Sequence, residues 1–174
     1  MTASNPPALA HFAFLARANT TVNLRLGAIL LSEVWERPLV GYFTSISAIL
    51  AHVQVADSYW AADIAFTAAL PLFTTMDATH LPNYGELKYT DLEDWRQQRT
   101  KQDSLLEELV AGLSEQHLPL AVRQFENPEN GAGQSIWKAL LHLFNHQTHH
   151  RGQISATLEA FGVEHDFSNL ISID

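Results

Sequence analysis

Apolar residues recur at intervals of three and four along four stretches of the chain, and each stretch predicts a long helix. The first runs from about Pro6 to Leu31, with Phe12, Leu15, Val22, Leu26, Ile29 and Leu30 along its apolar side. Asn5 is placed to cap it, and Pro6 or Pro7 suits a first turn. Ser32 to Glu36 reads as a short separate turn before Pro38 and Gly41 break the pattern. The second helix is expected from Thr44 or Ser45 to about Ala69, ahead of Pro71, on Ile46, Ile49, Val53, Ala56, Trp60 and Ile64. One polar residue, His52, intrudes on that apolar run, and Tyr59 and Asp63 fall near the same face. Thr90-Asp91-Leu92-Glu93 resembles a capping box, with Thr90 as the cap and Glu93 reaching back, for a third helix ending near Ser114. The fourth is capped by Ser135 and stopped by Gly162. Leu120 to Phe125 reads as a short extended piece.

Four such helices sharing one core predict an all-α protein, a helix bundle forming a single domain over residues 1–174. The connection between the second and third helices, residues 70 to 90, carries Pro71, Pro82 and Gly85 and is long for a helical protein. A link of that length lets those two helices run parallel, whereas short links favour antiparallel neighbours.

Composition narrows the function classes. The hydrophobic fraction of 47% fits a globular chain. No apolar run approaches the roughly 18 to 20 residues that a membrane span needs, and the first residues lack the basic and apolar regions of a signal peptide. Cysteine is absent, which excludes disulfides, thiolate metal sites and cysteine nucleophiles and is compatible with a cytoplasmic location. With 10 Lys+Arg against 19 Asp+Glu, the formal charge is −9. That balance argues against nucleic acid and against an anionic membrane as partners, and leaves a small molecule.

The candidate chemistry lies in the fourth helix. His142, His146, His149 and His150 place four of the chain's nine histidines within nine positions. At about 100° per residue, His146 and His150 are one turn and roughly 40° apart, so both imidazoles share a face. An i, i+4 pair is the usual way for a helix to offer two ligands to a late divalent metal such as zinc or nickel. A buried polar row without partners would cost on the order of 1–3 kcal/mol per unsatisfied group, and a metal satisfies it. The alternative is a wet, exposed face. His52 is the best third ligand, because His11, His80, His117 and His165 sit near termini or loops. His142 and His149 stay ambiguous. Asp57 and Trp60 read as core-rim residues, Arg151 as a salt-bridge partner and Gln153 as a capping or interhelical hydrogen bond. Trp137, Leu141 and Phe144 face away from the histidines, towards a neighbouring helix or a dimer partner.

The segment Asn145-His146-Gln147-Thr148-His149-His150-Arg151-Gly152-Gln153 resembles the signature of the DinB family of metalloenzyme-like proteins. So does the run from Phe43 through His52 to Ala56-Asp57-Ser58-Tyr59-Trp60, although a basic residue is commoner where Ser58 stands. Asn127 to Gly131 is also similar. The resemblance implies a four-helix bundle in up-down-down-up order, a metal held by His52, His146 and His150, and homodimers. Some relatives are thiol transferases, and maleylpyruvate isomerases share the fold.

Three neutral imidazoles leave a divalent ion its full charge and an open position, the catalytic arrangement. Transfer of a low-molecular-weight thiol to an electrophilic small molecule is the first expectation, since a bound thiol ionises readily. Metal-dependent hydrolysis is the second; it requires a nearby acid or base, for which Asp63 or Tyr59 would have to reach from the second helix. A non-catalytic, stress-related metal-binding dimer is the third. Tyr59 and His149 are the candidate catalytic residues.

Overall fold

The computed structural model describes residues 7–70, 81–122 and 134–173. Its elements in chain order are α1 (Ala8–Ile29), α2 (Ser32–Trp35), α3 (Ile46–Thr67), α4 (Leu92–Gly112), β1 (Ala121–Val122), β2 (Gln134–Ser135) and α5 (Ile136–Ala160). The protein is all-α in character, as the apolar spacing predicts. α1 and α3 each pack against both α4 and α5. No helix among the described residues is long and apolar enough to cross a membrane. Asn5, Pro6, Pro71, His80 and the Asn127 to Gly131 segment lie outside the described residues.

Helix starts follow local chemistry. Ser45 caps α3 by accepting from the Ala48 N–H, and Ser135 caps α5 by accepting from the Lys138 N–H. Within the extended piece expected from Leu120 to Phe125, Ala121–Val122 forms β1, paired antiparallel to β2 with Ala121 opposite Ser135 and Val122 opposite Gln134, and residues 123–125 lie outside the described residues. This ribbon leads straight into α5. The Ile136 and Trp137 N–H groups donate to Leu120 and Leu118 carbonyls at 2.9 and 3.1 Å, so donors that a helix start would leave open are satisfied.

The start of α4 differs from expectation by one residue. Asp91 is the cap and accepts from Asp94 N–H at 2.8 Å, while Asp94 accepts from Thr90 N–H at 2.9 Å. A carboxylate one position on displaces the hydroxyl of Thr90, because it accepts a stronger, charge-assisted bond at a positive helix end. Asp91→Ala is expected to cost about 1 kcal/mol and Thr90→Ala far less, as read from urea unfolding midpoints. At the other end of α5, Gly162 takes φ 74°. Its N–H reaches Glu159 and that of Val163 reaches Leu158, the paired bonds that close a helix at a left-handed glycine.

The core is divided. One apolar block joins Phe12 and Ala16 of α1, Ala61 and Ile64 of α3, Leu106 and Leu109 of α4, and Ile136 and Leu140 of α5. A second joins Leu26, Ile46, Ile49, Leu92, Trp95, Ile154 and Leu158. The N-terminal ends of α1 and α5 thus share a block with the C-terminal ends of α3 and α4. On every long helix, polar residues fall between the blocks: Asn19 and Asn23, Asp57, Arg99 and Asp103, Gln147 and Arg151.

These residues bond to one another across the bundle. Arg99 donates to Asp57 at 2.7 Å and pairs with Asp103 at 2.6 Å. Asn23 donates to Asp103 at 3.0 Å, Gln147 donates to Asp57 at 3.0 Å, and Arg151 donates to Asn19 and to Gln147. Asp57 is only 1% exposed, so it belongs to the centre of the core and not to its rim. Burial and guanidinium pairing go together: a carboxylate this deep is tolerated only when charged and hydrogen-bonding partners meet it. Since a slide along any one helix would strand a buried charge, the layer fixes the relative register of α3, α4 and α5.

Candidate metal centre

That register sets His52, about two turns into α3, against His146 and His150 on α5. Their Nε2 atoms converge. His146 Nε2 lies 3.1 Å from His52 Nε2 and 3.0 Å from His150 Nε2, and the three ligand atoms all fall within 4.8 Å of one another. Among the described residues the group has these three members. A cation about 2.1 Å from each nitrogen would hold neighbouring nitrogens about 3.0 to 3.4 Å apart, depending on whether the ligand angle is octahedral or tetrahedral. Two of the three separations meet that requirement, and the third, His52 to His150, lies within 4.8 Å.

Hydrogen bonding alone satisfies the group poorly. Gln153 Oε1 lies 2.8 Å from His150 Nδ1. An amide oxygen only accepts, so the proton sits on Nδ1 and Nε2 presents its lone pair. A single proton on His146 Nε2 would then have to serve both His150 and His52. His146 Nδ1 is itself buried without a hydrogen-bond partner among the described residues. The donor set, three imidazole nitrogens gathered within 4.8 Å of one another, suits a late divalent cation.

The protonation states agree with this geometry. Burial, reinforced by the neighbouring His150, His52, His142 and His149, pushes the His146 imidazole down to about 3. Burial and then His150 lower His52, while burial lowers His150 against the raising effect of its bond with Gln153. All three rings are therefore neutral near pH 7, the form that ligates. His150 is buried and the other two are half-buried, so the point of convergence lies close to solvent.

Aromatic rings surround the trio. Phe43 stands 5.2 Å from His52 and 5.4 Å from His150, centroid to centroid, and Tyr84 stands 5.1 Å from His52. Tyr59 stacks on Tyr84 at 5.9 Å, which sets it one ring away from the ligands. His149 is exposed with its ring against His150 at 5.0 Å. His142, also exposed, stacks on His146 at 5.8 Å and meets Trp60 at 5.1 Å. The sequence singles out all of these except Phe43, which it names only as the start of the family-like run, and Tyr84, which lies in a loop with no helical period to place it.

Two neighbouring residues differ from expectation. Arg151 donates to Asn19, Gln147 and Thr148, neutral acceptors where a salt bridge is predicted. Burial lowers its pKa to about 10, and the amides satisfy it without a second buried charge. Gln153 neither caps nor crosses to another helix; it orients a histidine within α5. Asp63 is 2% exposed and stands apart from the histidine group. Phe144 is buried against Phe12 at 6.3 Å, whereas Trp137 and Leu141 remain 43% and 44% exposed.

The chain matches the DinB family over residues 8–170. Protein DinB of Bacillus subtilis (strain 168) is 30% identical over 142 residues, which cover 75% of this chain and 72% of that protein. The crystal structure of a DinB-like protein from Bacillus cereus ATCC 10987 superposes with a TM-score of 0.63 at 15% identity, over 91% of this chain and 95% of that one. At that identity the likeness is one of fold.

Proposed function

The chain belongs to the DinB family, and on that footing we propose that it is a metal-dependent transferase joining a low-molecular-weight thiol to an electrophilic small molecule. The convergence of the Nε2 atoms of His52, His146 and His150 is the observation that carries this reading. Zinc or nickel suits three imidazoles, and when bound it supplies undiminished positive charge at an open position, which favours the ionised form of a thiol. The protein contributes no thiol of its own, having no cysteine.

In this reading the chain's residues position and shield. Gln153 holds His150 in the tautomer that ligates. Phe43 and Tyr84 pack their rings against His52, and fewer polar neighbours there strengthen electrostatic attraction at the trio. Tyr59, one ring removed from His52 through Tyr84, and His149, whose ring lies against His150, are the proton-handling candidates. Hydrolysis draws less support, because among the described residues the histidine group includes no carboxylate and Asp63 is buried elsewhere. A homodimer is the assembly this reading carries, checked by sedimentation velocity.

The test is a conjugation assay on metal-stripped and metal-reloaded protein, with several low-molecular-weight thiols and one chromogenic electrophile. A rate that appears only on reloading, and disappears in His52→Ala, is the expected result. Equal rates with and without metal for every thiol would overturn the proposal.

A further inference from the structure

A cleft of about 550 Å³ opens over His52, within the size range of small-molecule sites. Its wall includes Tyr42, Phe43, Tyr84 and Tyr89 together with the acidic Glu36 and the basic Lys88. One carboxylate and one ammonium leave that wall with little net charge, so charge does little to select the ligand. What the wall offers instead is ring surface. Tyr42 meets Phe43 edge-on at 4.9 Å, and Phe43 and Tyr84 each stand about as close to the His52 imidazole. The hydroxyls of Ser45 and Ser47, on the same wall, are 2.7 Å apart, so one donates to the other, and Ser45 Oγ also accepts from the Ala48 N–H.

We propose that this cleft is the acceptor subsite and selects planar aromatic molecules, with Tyr84 and Phe43 as the specificity-determining residues. The inference rests on the reading above, in which His52 helps to hold the metal, and the cleft is lined by His52. Flat rings gain from offset or edge-to-face contact with Tyr and Phe beyond what their buried area gives. A saturated ligand of equal size gains the burial only. Tyr84 also contacts Tyr59 and His52, yet it is 44% exposed, so part of its ring stays open to a ligand in the cleft.

The test is a binding measurement on metal-loaded protein without thiol, which separates it from the transfer reaction. 2-Naphthol and its saturated analogue decahydro-2-naphthol are titrated by calorimetry. The aromatic probe is expected to bind at least tenfold more tightly, and Tyr84→Leu or Phe43→Leu to bring the two affinities within about twofold while bound metal stays stoichiometric. Trp137→Ala, on the exposed apolar face elsewhere, is expected to leave the preference unchanged. Equal affinities in the unmodified protein, or a preference that survives both cleft variants and disappears in Trp137→Ala, would overturn the inference. Tighter aromatic binding in a protein that transfers no thiol would overturn only the proposed function.

Discussion

Alanine in place of His146 is expected to strip the protein of stoichiometric divalent metal. Its Nε2 is the vertex shared by both short contacts, 3.1 Å to His52 and 3.0 Å to His150, so its removal leaves two ligands on different helices with nothing between them. His52→Ala and His150→Ala are expected to lose most of the metal as well. Gln153→Ala frees the tautomer of His150 without removing a ligand, and losing such an outer partner typically weakens affinity about 10- to 100-fold. His149→Ala, which removes an exposed ring beside His150, is expected to retain full metal. Elemental analysis after dialysis, followed by competition with a chromophoric chelator, ranks the five variants. Retention of stoichiometric metal by His146→Ala would remove the proposed centre and the chemistry built on it.

Replacing Arg99 with methionine is expected to destabilise the fold by about 3–5 kcal/mol, the usual consequence of leaving buried charge unpaired. Asp57 and Asp103 would then face each other across a dry core, 1% and 3% exposed. Asp57 also carries a pH signature. Burial raises its carboxyl from 3.8 to about 6 against the opposing pull of Arg99. The folded chain therefore holds this proton more tightly than the unfolded chain does. The stability of the unmodified protein, relative to Asp57→Asn, is accordingly expected to rise as pH falls from 7 through 6 towards 4, by up to about 3 kcal/mol. Urea unfolding of both proteins across that interval gives the slope. A relative stability that falls on acidification would mean that Arg99 outweighs burial at this site.

The histidine trio was legible because its signals are local. His146 and His150 stand at i and i+4, and His52 is the one polar intruder in an apolar run. The helices were legible for the same reason, since periodicity needs no knowledge of partners. Thr90-Asp91 followed by Glu93-Asp94 offers two overlapping boxes, and only geometry chooses Asp91 over Thr90 as the cap. The burial of Asp57 has no local signal, since a lone carboxylate near a helix face ordinarily points outward and its guanidinium partner, Arg99, lies on another helix. A trace of the layer was nevertheless present in α4. Trp95, Arg99, Gln102 and Leu106 follow three- and four-residue spacing, so an arginine and a glutamine sit on an otherwise apolar stripe. Tyr84 left no trace, since loop residues reach a site by tertiary folding alone.

The seam of amides and charges between the two apolar blocks has a mechanical consequence. Apolar packing tolerates small slips, because one methyl contact replaces another at little cost. Directed bonds between Asp57, Arg99 and Gln147 do not. The middle of the bundle is accordingly stiff against sliding, while each end can repack on its own. Substitutions around Leu140 or around Leu158 can therefore retune either extremity and still leave the imidazoles of α3 and α5 in alignment.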